Sequence, residues 1–282
     1  MKDIIVFSHM MKTAGSSLIK SLIEYYGKRV LDVSYGTRLK KEAYTNDNLL
    51  RDFKKKNNNI KIVVGHSMRP CVDFKIPGHN LHWMTFFRDP FERYVSNYFY
   101  MYHLKNNFQL SHYEAMKAIN IVEWEKVDHF SNYQTRFIAG EANVQKAIDI
   151  LENKFEWVGI TENFKNGIQS FKTCLGVEDL YHDHKTSNPS TADEEEKRRT
   201  KEKYRDFILE MNQEDQKLYD YVKFKMWPRF KDKKPHQNIK LKSNPLRRNY
   251  NKWSYHIDNQ LKFKETQLTF YNLKKFYERW YR

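Results

Sequence analysis

The chain has 282 residues, 40% hydrophobic and 16% aromatic, with a formal net charge of +15. That length holds one substantial domain with room for an extension, and the aromatic content excludes a disordered chain. Two distant cysteines, Cys71 and Cys174, exclude a disulfide framework and fit a reducing compartment, and no apolar run approaches the ~20 residues that span a bilayer.

The charge is uneven. Residues 223–282 carry 17 Lys and Arg against 4 Asp and Glu, a net of +13, which leaves +2 for residues 1–222. Such a tail suits either an acidic partner or a solvated surface. The N-terminus has no basic segment followed by a long apolar stretch, so no secretory signal is read and a cytoplasmic protein is expected.

Residues 4–8 are the first apolar run of strand length. Residues 16–26 follow with Leu18, Ile19, Leu22 and Ile23 at i, i+4 spacing, which predicts a helix. Lys12, Thr13, Ala14, Gly15, Ser16 and Ser17 fall at the turn between them. A helix start carries partial positive charge and prefers acidic neighbours, yet this turn has a lysine and no acid. A bound anion resolves the conflict. Gly15 permits close backbone approach, the first-turn N–H groups with Ser16 and Ser17 can hold phosphate oxygens, and Lys12 balances their charge. A nucleoside-triphosphate loop of the Walker type has its lysine directly after the last glycine. Here Lys12 precedes Gly15, and no glycine precedes Lys12. A magnesium-holding carboxylate at the end of an apolar strand is also lacking, Asp32 being the single weak candidate.

Residues 29–33 are a weaker strand, and 60–65 (IKIVVG) a stronger one that delivers His66 at its carboxyl end. A neutral imidazole with a pKa near ~6.5 can take a proton from a hydroxyl, so His66 is a candidate base; the alternative is a histidine hydrogen-bonded near the core. Residues 81–87 (LHWMTFF) form the next strand, inside which His82 reads as structural. Arg88 follows, then Asp89 as N-cap, Pro90 at the first helical position and Glu92 to complete a capping box. Arg88 suits bidentate contact with a phosphate or an intramolecular ion pair, and Ser96, two turns into the helix over 90–104, can add a hydroxyl.

Further helices are predicted over 142–154, 163–175 and 192–211, and a strand over 155–160. DHKTSNPST (183–191) reads as a loop, and the charge run after it as an exposed helix with i, i+4 pairs. His182 and His184 lack a third ligand nearby, so no metal is expected. Beyond Trp227 the pattern weakens at Pro228, Pro235 and Pro245. The organisation read is a domain over 1–227 and a basic, aromatic-rich extension over 228–282 that packs on or beside it. Strands alternating with helices predict an α/β domain with a central parallel sheet flanked by helices. Ligands of such sheets bind beyond the carboxyl ends of the strands, which would bring the Lys12 turn, His66 and Arg88 to one edge.

KTAGSSL resembles the 5′-phosphosulfate loop, and RDPFERYVSNYFY the 3′-phosphate loop, of sulfotransferases that use 3′-phosphoadenosine-5′-phosphosulfate (PAPS). The likeness is greatest to Golgi-type carbohydrate sulfotransferases, including the uronyl 2-O- and chondroitin enzymes. NYQTR (132–136), VGITENF (158–164) and NQEDQKLYDY (212–221) extend it over residues 4–225. Those relatives commonly carry an N-terminal membrane anchor, which is not read here, so a soluble bacterial or viral relative is implied. The resemblance implies a P-loop-like sulfotransferase fold and transfer of the sulfuryl group of PAPS to an acceptor hydroxyl, with PAP as product and no metal. Lys12 would stabilise the leaving group and His66 act as base. Thr13, Ala14, Gly15, Ser16 and Ser17 would hold the 5′-phosphate, Arg88 and Ser96 the 3′-phosphate, and Lys185 and Ser187 lie where relatives close over the nucleotide. Arg69, Gln134 and Arg136 are candidates to face the acceptor, a carbohydrate or other hydroxyl compound, possibly acidic, with Gln134 and Arg136 equally open to buttressing the cleft. Two other readings stay open: a P-loop-like small-molecule kinase, and a nucleic-acid-binding protein acting through the basic tail, although no nucleic acid is expected as partner.

Overall fold

In the computed structural model the described residues are 1–34, 44–56, 59–108, 131–177, 180 and 194–231, with the backbone alone over 100–108. Five parallel strands make one sheet: β1 (Lys2–Ser8), β2 (Val30–Asp32), β3 (Ile62–Gly65), β4 (His79–Phe87) and β5 (Phe155–Ile160), in the order β2-β3-β1-β4-β5. β1 is central and buried from Ile4 to Ser8, which is why its sequence is an unbroken apolar run rather than an alternating one. The flanking helices include α1 (Gly15–Tyr26), α2 (Asn46–Lys55) and α3 (Pro90–Phe108). Phe7, Phe86, Trp157 and Phe171 meet edge to face between β1, β4, β5 and helix Phe164–Leu175. Among the described residues no helix is long and apolar enough to cross a membrane.

The chain leaves β1 toward β2 on one side and leaves β4 toward β5 on the other. β1 and β4 are neighbours, so the switch in chain direction falls between their carboxyl ends. Open α/β sheets seat their ligands at such a point.

All five expected strands are present among the described residues. The helix expected over 192–211 breaks at Tyr204 into Glu194–Lys203 and Arg205–Met211, because Ile208 turns inward to pack on Phe91, Tyr94, Val95 and Phe99 of α3 while the first half stays exposed. Neither Cys71 nor Cys174 forms a disulfide. The start of the expected extension packs on the body. Trp227 stands edge-on to Trp157, Phe230 is buried, and its carbonyl accepts from Ser170 Oγ at 2.5 Å. The remainder of the basic extension, 232–282, lies outside the described residues.

His82 is structural, as its place inside β4 implies. Its Nδ1 donates to Glu156 Oε1 at 2.6 Å and its Nε2 to Asp3 Oδ1 at 3.0 Å, a carboxylate–imidazolium–carboxylate bridge over β5, β4 and β1. The bond to Glu156, above all, holds the imidazole pKa above its ordinary value, with burial opposing. His82→Gln is expected to cost about 2 kcal/mol near pH 6. A raised folded-state pKa means that the contribution is complete below about pH 6.5 and is lost as pH climbs through the raised value. Urea titrations of both proteins at acid and alkaline pH test this: the stability gap narrows toward alkaline pH, and a constant gap refutes the bridge.

Candidate functional site

β1 ends at Ser8, whose hydroxyl donates to the Met68 carbonyl and whose carbonyl accepts from Thr85 Oγ1, each at 2.7 Å. The strand end is thereby fixed to its surroundings on both sides. In the turn that follows, Lys12 (φ 64°) and Ala14 (φ 59°) are left-handed. That conformation is uncommon outside glycine and costs of order 1–3 kcal/mol per residue. Ala14 is the N-cap of α1 and offers no side-chain acceptor, and the first turn holds no acidic residue. Among the described residues the amides of Gly15, Ser16 and Ser17 accordingly have no protein acceptor. The hydroxyls do not substitute for a ligand. Thr13 is buried and donates to the Met10 carbonyl at 3.0 Å, while Ser17 donates to the Ala14 carbonyl at 3.2 Å. Thr13 thus shapes the turn, Ser16 is exposed, and the amides are the groups left for an anion.

Arg88 stands at the end of β4, and its Nη1 donates to the Lys12 carbonyl at 3.2 Å. The two junctions are therefore in direct contact across the β1–β4 boundary. Burial, then the charge of Arg88, pulls the Lys12 ammonium down to about 8. Burial also lowers the Arg88 guanidinium, opposed by Glu92, Glu162 and Asp89. Two partly desolvated cations side by side are what an anionic ligand would relieve.

Asp89 caps α3 by accepting from the Glu92 amide at 3.0 Å, as its position predicts. The return half of the capping box is not made. Glu92 instead binds Lys201 Nζ through both oxygens at 2.8 Å, tying α3 to helix Glu194–Lys203. Ser96 is half-buried two turns into α3.

Of the two places open to Gln134, facing the acceptor or buttressing the cleft, the structure shows the second: the side chain is fully buried. Its Oε1 accepts from the Arg88 amide at 3.0 Å and its Nε2 donates to the Arg88 carbonyl at 2.8 Å, so it splints the backbone of the arginine. Gln134 is held in turn by Asp215, whose carboxylate accepts from the amides of Gln134 (3.0 Å) and Thr135 (2.7 Å). The arrangement is reciprocal. Asn132 Oδ1 accepts from the amides of Glu214 (3.0 Å) and Asp215 (3.1 Å), so helices Tyr133–Ala139 and Gln213–Tyr221 cap each other. Tyr133 of the same unit accepts the Met11 amide on its hydroxyl at 3.3 Å, and the fully buried Arg93 lies 4.7 Å over its ring.

His66 follows Gly65, the last residue of β3, which pairs in register with Ser8 of β1. The backbone can turn there because Gly65 has φ 138°; a Cβ would come within 2.5 Å of the Ser34 amide nitrogen. His66 is half-buried, and its Nδ1 lies 2.6 Å from the His9 carbonyl. A carbonyl only accepts, so Nδ1 carries a proton, which in the neutral ring leaves the lone pair on Nε2. The His66 ring stacks on that of His9 at 4.3 Å and 27°.

Arg69 and Arg136 are exposed, and the Arg69 guanidinium lies 5.9 Å from the centre of the Phe137 ring. Lys185 and Ser187 lie outside the described residues, as do His182 and His184. Asp32 sits on β2, two strands from β1, and its Oδ1 accepts from the Ser34 amide at 2.9 Å. Among the described residues no three His, Cys, Asp or Glu side chains cluster as metal ligands would.

The structure thus brings Lys12, the amides of residues 15–17, His66 and Arg88 to one edge of the sheet. His9 was missed, although a histidine at a strand end directly before the turn is a readable signal. Asn132, Tyr133 and Asp215 lie in the stretches NYQTR and NQEDQKLYDY that the resemblance singles out, but no role was assigned to them. No protein-family model matches the chain, and no curated protein matches it.

Proposed function

We propose that the protein is a PAPS-dependent sulfotransferase with a P-loop-like fold, which moves a sulfuryl group to a hydroxyl of a carbohydrate acceptor. The observation that carries this reading is the contact between its two cationic junctions, Arg88 Nη1 on the Lys12 carbonyl at 3.2 Å. One mononucleotide with a phosphate at each end fits two such corners. The acceptor-less amides of residues 15–17 and the depressed Lys12 ammonium fit the same ligand.

When bound, PAPS supplies the sulfuryl group and a phosphate leaving group. Lys12 holds positive charge where negative charge grows in the transition state, already in place and needing no reorganisation. The amides of Gly15, Ser16 and Ser17 hold the 5′-phosphate oxygens. Arg88, splinted by Gln134, holds the 3′-phosphate together with Ser96, a contact that a nucleoside diphosphate cannot make. His66 takes the acceptor's hydroxyl proton at Nε2. The exposed Arg69 and Arg136 face the acceptor and suit an acidic one.

Thermal-shift measurements with PAP and with ADP test the reading. A ligand at 100 times its Kd stabilises by about 2.7 kcal/mol, so PAP should raise the melting temperature clearly more than ADP does. Arg88→Ala should abolish that difference. Stabilisation by ADP with Mg²⁺ and none by PAP would replace the sulfotransferase by a kinase.

A further inference from the structure

His9 is buried at 3% exposure between the two halves of the site. On one side it limits α1: a Cβ on Gly15 would come within 2.3 Å of His9 Cδ2 and 2.6 Å of Nε2, so the start of the helix rests directly on the imidazole. On the other side it stacks on His66, and behind it lies the ring of Phe7 at 6.0 Å. Its backbone is engaged as well. The His9 amide donates to the Gly65 carbonyl at 3.2 Å, and the His9 carbonyl accepts from His66 Nδ1 at 2.6 Å. One residue beyond the ends of β1 and β3, the ladder between these strands thus continues with the imidazole of His66 in place of a backbone amide.

We infer that His9 is the positioning residue of this site, holding the anion-binding turn and the base His66 in fixed relation, and that its carbonyl serves His66 as the orienting acceptor. The inference rests on the reading of His66 as base. In the step it would serve, the acceptor O–H bond breaks and its proton goes to His66 Nε2, the oxygen's electron pair forms the bond to sulfur, and the bond from sulfur to the 5′-phosphate oxygen of PAPS breaks, its electron pair leaving on PAP. The Nδ1 proton stays on His66 throughout. The ring becomes an imidazolium whose new charge falls partly on Nδ1–H, directed at the electron-rich His9 oxygen. A backbone carbonyl here does what a carboxylate does in a Ser-His-Asp arrangement, fixing the tautomer and stabilising the charged ring without itself becoming protonated. It can do so only while the His9 peptide keeps its orientation. That orientation is enforced by the ring wedged between Gly15, Phe7 and His66.

The experiment combines nitrogen-15 NMR of histidine-labelled full-length protein with steady-state kinetics on His9→Ala and His9→Phe. In the ligand-free wild type, His66 is expected in the neutral form protonated on Nδ1. That assignment needs neither PAPS nor acceptor, so it stands or falls separately from the sulfotransferase reading. In His9→Ala the ring loses its stack and the spectrum shifts toward the Nε2-protonated form that free histidine prefers. Turnover falls about 10- to 100-fold, the scale expected when a reacting group is misplaced by an ångström, with a smaller change in KM for PAPS. His9→Phe keeps a planar ring against His66 and Gly15, and is expected to recover most of the tautomer and of the rate. A wild-type His66 protonated on Nε2 overturns the inference even if His9→Ala does not fold. So does a His9→Ala protein with wild-type tautomer and turnover. PAPS turnover absent from the wild type, with the expected tautomer present, refutes the sulfotransferase reading and leaves the orienting contact in place.

Discussion

In the Lys12→Ala protein, turnover is expected to fall about 100-fold or more with the fold retained, the scale for removing a preorganised charge from a developing anion. Lys12 is half-buried beside Arg88, and its ammonium is depressed to about 8 because burial and the neighbouring cation both disfavour its charge. An anion between the two restores that charge, and the benefit is greatest where most negative charge collects. The loss should therefore appear in kcat more than in KM. The same argument gives a pH dependence with a definite sign. A lysine is cationic below its pKa, so PAP affinity in the wild type weakens as pH rises through about 8. Calorimetric titrations near pH 7 and near pH 9 should show that slope, and Lys12→Ala should lack it. A variant with wild-type turnover, or with the wild-type slope, removes Lys12 from the mechanism.

His66→Ala should also lose about 100-fold or more in turnover, within the range for general acid–base catalysis, but with the opposite binding signature. His66 follows β3, on the far side of β1 from Arg88, and it contacts His9, the residue ahead of the turn. The melting-temperature increase produced by PAP should persist in this variant, whereas Lys12→Ala and Arg88→Ala diminish it. The separation matters, because a variant that merely unsettled the fold would lose both properties together. Near-normal turnover in His66→Ala would leave the acceptor proton to another group.

The strands and the two junctions were legible because their signals are local. A strand buried on both faces must be apolar throughout, as residues 4–8 and 155–160 are, and Asp89 followed by Pro90 marks a helix start whatever lies around it. What could not be read depends on residues far apart in sequence. Helix Tyr133–Ala139 has an unfavourable left-handed Asn132 at its start and no cap of its own; its cap is Asp215, some 80 residues on. Residue type leaves Gln134 open between facing an acceptor and buttressing the cleft, since a side-chain amide can do either. Only tertiary structure places the Arg88 backbone against it. α2 went unread for a related reason. It buries just Leu49 and Phe53, too few apolar positions for a periodic signal, and it depends on the capping box of Thr45 and Asn48. His9 escaped notice because its role lies in its backbone carbonyl and in one stacking contact, neither of which residue type announces.

The reciprocal capping of helices Tyr133–Ala139 and Gln213–Tyr221 has a consequence for how the molecule comes apart. Neither helix can fray from its amino end without stripping the other of its first-turn acceptors, so the two melt and form as a single cooperative unit. The splint on Arg88 belongs to that unit. A lesion near residue 215 would thus be felt as slackness in Arg88 at a strand end more than a hundred positions earlier in the chain and, if the proposed function holds, in its grip on a phosphate.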